Sequence, residues 1–162
     1  MTNPLLQTST LPFQAPPFDK IRDEHFRPAL AEGMKRHRAE VNLITNSEEA
    51  PSFENTIVAL ERAGQDLNRA ASVFFNLVGS ATNETLQAVK ADMAPKLAAH
   101  NDAITLNDRL FARIKLLHEQ RDALGLDAVD ARLLNRYYTR FVRAGALLDA
   151  IGKEQMAAIN EE

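Results

Sequence analysis

Phe53-Glu54-Asn55-Thr56-Ile57-Val58-Ala59-Leu60-Glu61-Arg62-Ala63-Gly64-Gln65-Asp66-Leu67-Asn68-Arg69-Ala70-Ala71-Ser72-Val73-Phe74-Phe75-Asn76-Leu77-Val78-Gly79 carries the strongest periodic signal in the chain. Within it Ile57, Leu60, Gly64, Leu67, Ala71, Phe74 and Val78 recur at alternating spacings of three and four. That spacing lines one face of an α-helix and predicts a seam packed left-handed against an antiparallel neighbour. Gly64 and Ala71 are small enough to let that neighbour's backbone come close. Ser52 or Asn55 can cap the start of the helix, and Gly79 sits where it can stop.

Toward the carboxy terminus the pattern continues. Thr82-Asn83 opens a helix with Leu86, Val89, Met93, Leu97, His100 and Ile104 on one face. Pro95 falls inside it, and a proline there removes a ladder bond and clashes with the preceding turn, so a kink or break is expected. Asn107 caps the next helix, with Leu110, Ile114, Leu117 and Leu124 inward and Gly125 closing it. Asp127 starts another, bearing Leu133, Leu134, Tyr137, Tyr138 and Phe141, and Gly145 interrupts it before a final segment from Lys153 to Glu162. Gln155–Asn160 reads as the opening turns of an amphipathic helix, as in a chain cut within its last helix.

In the other direction, Leu30, Met34, His37, Val41 and Ile44 mark a helix that starts near Arg22, tolerates Pro28 in its first turn and ends near Thr45-Asn46-Ser47. Residues 1–20 differ. Four of the seven prolines fall there, interleaved with Leu11, Phe13 and Phe18. Proline restricts its neighbour and removes a donor, so this is an extended arm, and its aromatic residues suggest that it lies against a surface. No strand-like alternation occurs. The expected fold is all-α: five to six amphipathic helices in antiparallel pairs over residues 21–162, preceded by the arm.

Composition bounds function mainly by exclusion. Hydrophobic residues make up 45% and charged residues 25% of 162, the balance of a globular domain. The formal charge of −3 lacks the basic excess of a nucleic-acid binder. No cysteine is present, which removes thiolate metal sites, disulfides and cysteine nucleophiles. The amino terminus has neither a basic n-region nor a long apolar core, and no stretch is long enough to span a membrane. A cytoplasmic location is the expectation.

The nearest approach to a catalytic motif is His118-Glu119-Gln120-Arg121-Asp122, which begins like H-E-x-x-H. That motif works because two histidines one turn apart bind zinc and the glutamate acts as general base. Asp122 stands where the second histidine is required, so a solvated polar turn is the better reading. His25, His37 and His100 are scattered and belong to no E-x-x-H pair. No catalytic, cofactor-binding or metal residue is assigned. Lys35-Arg36-His37-Arg38 reads as a solvated face. Arg132, Arg136, Arg140 and Arg143, spaced four, four and three, form a stripe along one helix. Such a stripe can meet an acidic partner surface or a phosphate backbone, although pairing with local acids such as Asp130 is the expected arrangement.

Several blocks together resemble a known family. They are Pro17-Phe18-Asp19-Lys20-Ile21 leading to Glu24-His25-Phe26-Arg27-Pro28-Ala29-Leu30, then Phe53–Glu61, Leu67-Asn68-Arg69, Phe74-Phe75-Asn76-Leu77, Leu110-Phe111-Ala112-Arg113-Ile114 and Arg140–Leu148. Their order and spacing resemble the amino-terminal part of the thimet-oligopeptidase-like zinc metallopeptidases, most closely the peptidyl-dipeptidase branch. The resemblance implies a non-catalytic helical wall of a channel that admits short peptides, in a hydrolase that removes carboxy-terminal dipeptides with zinc-activated water. It puts the zinc-binding H-E-x-x-H several hundred residues downstream, so zinc is expected in the longer enzyme and no cofactor in this segment. The implied partners are the remaining carboxy-terminal catalytic part of the same chain and short peptide substrates, with neither nucleic acid nor membrane. Without that part, apolar surface meant for burial would favour self-association. The other reading is a free-standing helical protein–protein interaction module with no enzymatic activity, using the Ile57–Val78 seam or the arginine stripe.

Overall fold

The computed structural model describes residues 3–161, so the readings made on Met1, Thr2 and Glu162 lie outside the described residues. Its helices are α1 (Phe26–Thr45), α2 (Ala59–Arg62), α3 (Gln65–Ser80), α4 (Glu84–Thr105), α5 (Asp108–Glu119), α6 (Ala128–Arg143) and α7 (Ala150–Glu161). A π-helical turn, Phe53–Val58, leads into α2. No strand occurs among the described residues, and the fold is all-α. The chain divides into two compact units. One comprises residues up to Ala39 together with Gly64–Leu97, and the other Glu40–Ala63 together with the residues from Ala98 onward.

The central seam is where expectation and structure part. Helix does not run unbroken from Ile57 to Val78, because Gly64 adopts a left-handed conformation, φ 75°, between α2 and α3. A side chain there would be strained, and a Cβ would also lie 2.8 Å from the His37 ring. Ile57 and Leu60 therefore join one core, and Leu67, Ala70, Val73 and Phe74 the other. Within α3 the buried positions are Ala70, Val73 and Phe74, and the expected Leu67, Ala71 and Val78 pack partly buried against the same core, so the inward face includes the predicted line and is broader than it.

In the first unit, Phe26, Leu30 and Met34 of α1 pack with Ala70, Val73 and Phe74 of α3 and with Leu86, Val89 and Met93 of α4. The Phe26 and Phe74 rings meet at 5.2 Å. Close backbone approach occurs at Gly33, where an added Cβ would lie 2.8 Å from Leu67 Cα. At Gly64, where a close backbone was expected, the neighbour is instead the His37 ring. The arm is anchored by Leu5, 2% exposed, in a short 3-10 turn packed on α3. Asn3 caps that turn through Leu5 N (3.0 Å) and donates to the His25 carbonyl (2.8 Å). The expected aromatic anchors are instead solvent-facing: Phe13 is fully exposed and Phe18 is 55% exposed. An aliphatic side chain at the front of the arm does the packing that the ring residues were expected to do.

α4 runs on through Pro95 without a break. Proline forfeits its own ladder bond, but the remaining bonds of a 22-residue helix keep the segment helical. Asp92 on this helix pairs with Lys96 (2.8 Å) and with Arg27 of α1 (2.7 Å), and the Lys96 hydrogen bond holds its carboxyl below the usual carboxylate range.

In the second unit, Val41 and Ile44, Ile57 and Leu60, Leu110, Ile114 and Leu117, and Leu134 and Phe141 form one core. Phe111 stacks between Tyr138 (5.9 Å) and Phe141 (6.3 Å). α5 is shorter than predicted, giving way at Glu119 to a 3-10 turn, Arg121–Ala123, before the left-handed Gly125. Gly145, φ 99°, ends α6 as expected. α7 starts three residues ahead of the predicted Lys153, because Asp149 accepts from Gly152 N at 2.8 Å. It is tied down by an ion pair from Lys153 to Asp108 and by Asn160, which donates to the buried Asp102 carboxylate at 3.0 Å.

Replacing Gly64 by alanine is expected to lower stability by about 1–2 kcal/mol, the cost of a left-handed non-glycine residue. The check is the midpoint of urea unfolding followed by circular dichroism; an unchanged midpoint would show that the α2–α3 break tolerates a side chain.

Candidate functional site

The H-E-x-x-H-like run is dispersed by helix geometry. His118 lies in the last turn of α5, where its ring stacks on Tyr138 at 3.9 Å and its Nε2 lies 3.3 Å from Asn135 Oδ1. Glu119 lies 3.8 Å from Lys115 Nζ. Asp122 falls beyond the helix end, exposed, 3.9 Å from Arg121 Nε. Because the α-helix stops at Glu119, His118 and Asp122 do not share a helix face. Among the described residues no group of three or more histidine, aspartate or glutamate side chains converges as a metal site would require. Of the other histidines, His25 accepts from Arg22 N through Nδ1 at 3.0 Å, and His100 is buried.

Two features of the second unit concentrate polar chemistry instead. The first is Arg113, which is 8% exposed. It sits on the apolar face of α5, three residues after Leu110 and four before Leu117, so its side chain is carried into the core. There it donates from Nε to Thr56 Oγ1 (3.3 Å), from Nη1 to the carbonyls of Ser47 (3.3 Å) and Glu49 (3.1 Å), and from Nη2 to Asn55 Oδ1 (2.9 Å). No carboxylate among the described residues lies within ion-pair distance, so neutral oxygens solvate the charge. Asn55 is the hub: its Oδ1 also accepts from Ser52 N (2.8 Å), its backbone N–H donates to Ser52 Oγ (3.1 Å), and its amide donates to the Ala50 carbonyl (3.0 Å). This reciprocal cap starts the π turn. A charged residue at a stripe position was the available sequence signal, and the periodicity reading passed over it.

The second feature is the outer face of α6. Asp127 caps the helix, accepting from Val129 N (2.8 Å) and Asp130 N (2.9 Å). Leu134 and Phe141 face the core, and Arg132, Arg136, Arg140 and Arg143 are exposed on the opposite side. The expected pairing with Asp130 does not occur. Side chains on a helix meet at spacings of three and four, and those positions from Asp130 are Leu133 and Leu134. None of the four arginines lies within ion-pair distance of a carboxylate among the described residues; Arg140 reaches only Asn101 Oδ1, at 3.4 Å. The surface between them is open and carries Asn135 and Thr139. Beside it Glu61, Tyr137, Arg136 and Arg140 line a cleft of about 240 Å³. Burial, reinforced by a hydrogen bond to Glu61, pushes the Tyr137 phenol well above its ordinary value.

No family model matches the chain. It is 45% identical over 161 residues to dipeptidyl carboxypeptidase of Salmonella typhimurium and 42% identical over 160 residues to that of Escherichia coli, in each case over 99% of this chain and 24% of the relative. A more distant relative, at 24% identity over 161 residues, is organellar oligopeptidase A of Arabidopsis thaliana, of which the match covers 20%. The chain thus spans about a quarter of the length of the curated relatives it matches, the amino-terminal quarter of the two carboxypeptidases.

Two outcomes follow from these contacts. Arg113→Ala should cost about 1–3 kcal/mol of stability by removing the donors that tie Ser47, Glu49, Asn55 and the buried Thr56 to α5, and Arg113→Lys about 1 kcal/mol because one ammonium cannot reach all of them. Denaturant titration of both variants, with amide exchange over residues 47–56, checks this. In a Tyr138→Phe variant, Tyr137 is the sole phenol. Its folded-state affinity for the proton exceeds that of the unfolded chain, so its contribution to stability is complete below pH about 10 and is lost as pH rises toward the folded value. Absorbance at 295 nm should therefore rise only at pH above 10. Glu61→Gln should move that rise to lower pH.

Proposed function

We propose, with the match to the amino-terminal quarter of dipeptidyl carboxypeptidases as premise, that this chain is the non-catalytic helical front of a zinc metallopeptidase. In this reading the helices form part of the wall of a channel that admits short peptides, and the zinc and its general base belong to a later part of the same polypeptide. The longer enzyme removes dipeptides from the carboxy termini of those peptides. The observation that carries the proposal is colinearity: 99% of this chain aligns at 45% identity with only 24% of a dipeptidyl carboxypeptidase.

The residues of the chain are compatible with a structural role. The family-like blocks Phe53–Glu61, Leu110–Ile114 and Arg140–Leu148 supply Ile57 and Leu60, Leu110 and Ile114, and Phe141 and Ala146 to one core, which is a structural use. Leu147, Leu148, Ile151 and Ile159 are exposed at and after the end of α6, and such residues suit burial under further polypeptide. No described helix is long and apolar enough to cross a membrane.

The pure 162-residue chain is expected to release no dipeptide from short peptides, with or without added zinc, and to self-associate by light scattering through its exposed apolar residues. The coding sequence beyond Glu162 is expected to continue to an H-E-x-x-H. Zinc-dependent cleavage by the isolated chain would overturn the assignment. A stop codon directly after Glu162 would leave the free-standing interaction module as the function.

A further inference from the structure

We propose that the outer face of α6 is a docking surface for a carboxylate-rich polypeptide segment of a partner protein, with Arg132, Arg136, Arg140 and Arg143 as its anchors. The first support is the absence of local compensation. Several arginines elsewhere find acids, Arg27 meeting Asp92 at 2.7 Å, Arg36 meeting Asp66 at 2.7 Å and Arg62 meeting Glu54 at 3.1 Å, while Arg22, Arg109 and Arg113 are satisfied by neutral oxygens. The four guanidinium groups of α6 have no such partner among the described residues, in a chain whose formal charge is −3. Glu61, which lines a cleft with Arg136 and Arg140, accepts from Tyr137.

The second support is arrangement. Spacings of four, four and three place the four groups along about 16 Å of one helix face. Asn135 and Thr139 add amide and hydroxyl groups to the open surface between them. A guanidinium binds a carboxylate through two parallel N–H donors, so an acidic segment with matching spacing can engage each anchor in turn.

Phosphate polymers fit less well. Single-stranded nucleic acids are held by aromatic rings on which bases stack, in addition to backbone charge. Both tyrosines of α6 are committed: Tyr137 is half-buried with its hydroxyl bonded to Glu61, and Tyr138 is stacked on His118 and Phe111.

The test titrates the 162-residue chain against a labelled, end-capped helical peptide whose glutamates are spaced four, four and three. Fluorescence anisotropy is followed for the wild type, Arg136→Ala/Arg140→Ala and Arg136→Lys/Arg140→Lys. All substituted positions are exposed, and circular dichroism confirms that each variant folds. Binding is expected to weaken about tenfold in the double alanine variant, less in the lysine variant, and to fall with added salt. A glutamine version of the peptide should not bind. Absence of binding up to millimolar peptide, or equal binding by all three proteins, overturns the proposal. Tighter ridge-dependent binding of a twelve-nucleotide single-stranded DNA overturns it in favour of a phosphate ligand. Self-association abolished by the double alanine substitution overturns it in favour of a second copy of the chain.

Discussion

The second unit depends on one buried guanidinium. Arg113 reaches from α5 to the segment Ser47–Thr56, which has little regular structure of its own before the π turn. An arginine cannot shed its proton in a protein, so burying it demands a full set of acceptors. Carbonyls of Ser47 and Glu49 and the side chains of Asn55 and Thr56 supply them, and in doing so fix that segment. The π turn and α2 then present Ile57 and Leu60 to α5 and α6. Without the guanidinium, that segment would lose the hydrogen bonds that hold it to α5. Neutral oxygens rather than a carboxylate solvate the charge, which makes the geometry of the segment, and not a single ion pair, the compensating element.

Gly64 plays the corresponding part between α2 and α3. Its positive φ lets one amphipathic stretch serve two cores, with Ile57 and Leu60 in one and Ala70, Val73 and Phe74 in the other. Helical periodicity survives a break of this kind almost intact, because α2 and α3 each keep their own three-and-four spacing. A continuous-looking seam is therefore compatible with two short helices. What separates the alternatives is a backbone dihedral, and glycine is the residue that permits both.

α6 shows how one helix divides structural and chemical roles between its faces. Inward, Leu134, Phe141 and the stacked Tyr138 bind it to α5. Outward, four arginines stand without acids among the described residues, which is a modest electrostatic cost to a small domain. Tyr137 lies between the two roles, its phenol kept protonated by burial and by Glu61.

The amino-acid sequence by itself determined the helical class, most helix positions and the larger part of the core. Leu30, Met34, Val41 and Ile44, then Leu86, Val89 and Met93, then Leu110, Ile114 and Leu117 are buried where their spacing put them. It also determined the similarity to the front of a longer peptidase, through blocks whose order needs no coordinates. Tertiary structure alone decided the break at Gly64, the close approach at Gly33, the anchoring of the arm by Leu5 rather than by Phe13 or Phe18, and the continuity of α4 through Pro95. It also decided which arginine is buried and which four are left bare. The physical reason is common to all of these. Spacing along the chain reports which side of a helix is apolar, but a positive φ, a backbone-to-backbone contact or an acceptor set for a guanidinium is made by segments far apart in sequence, and becomes visible only when they meet.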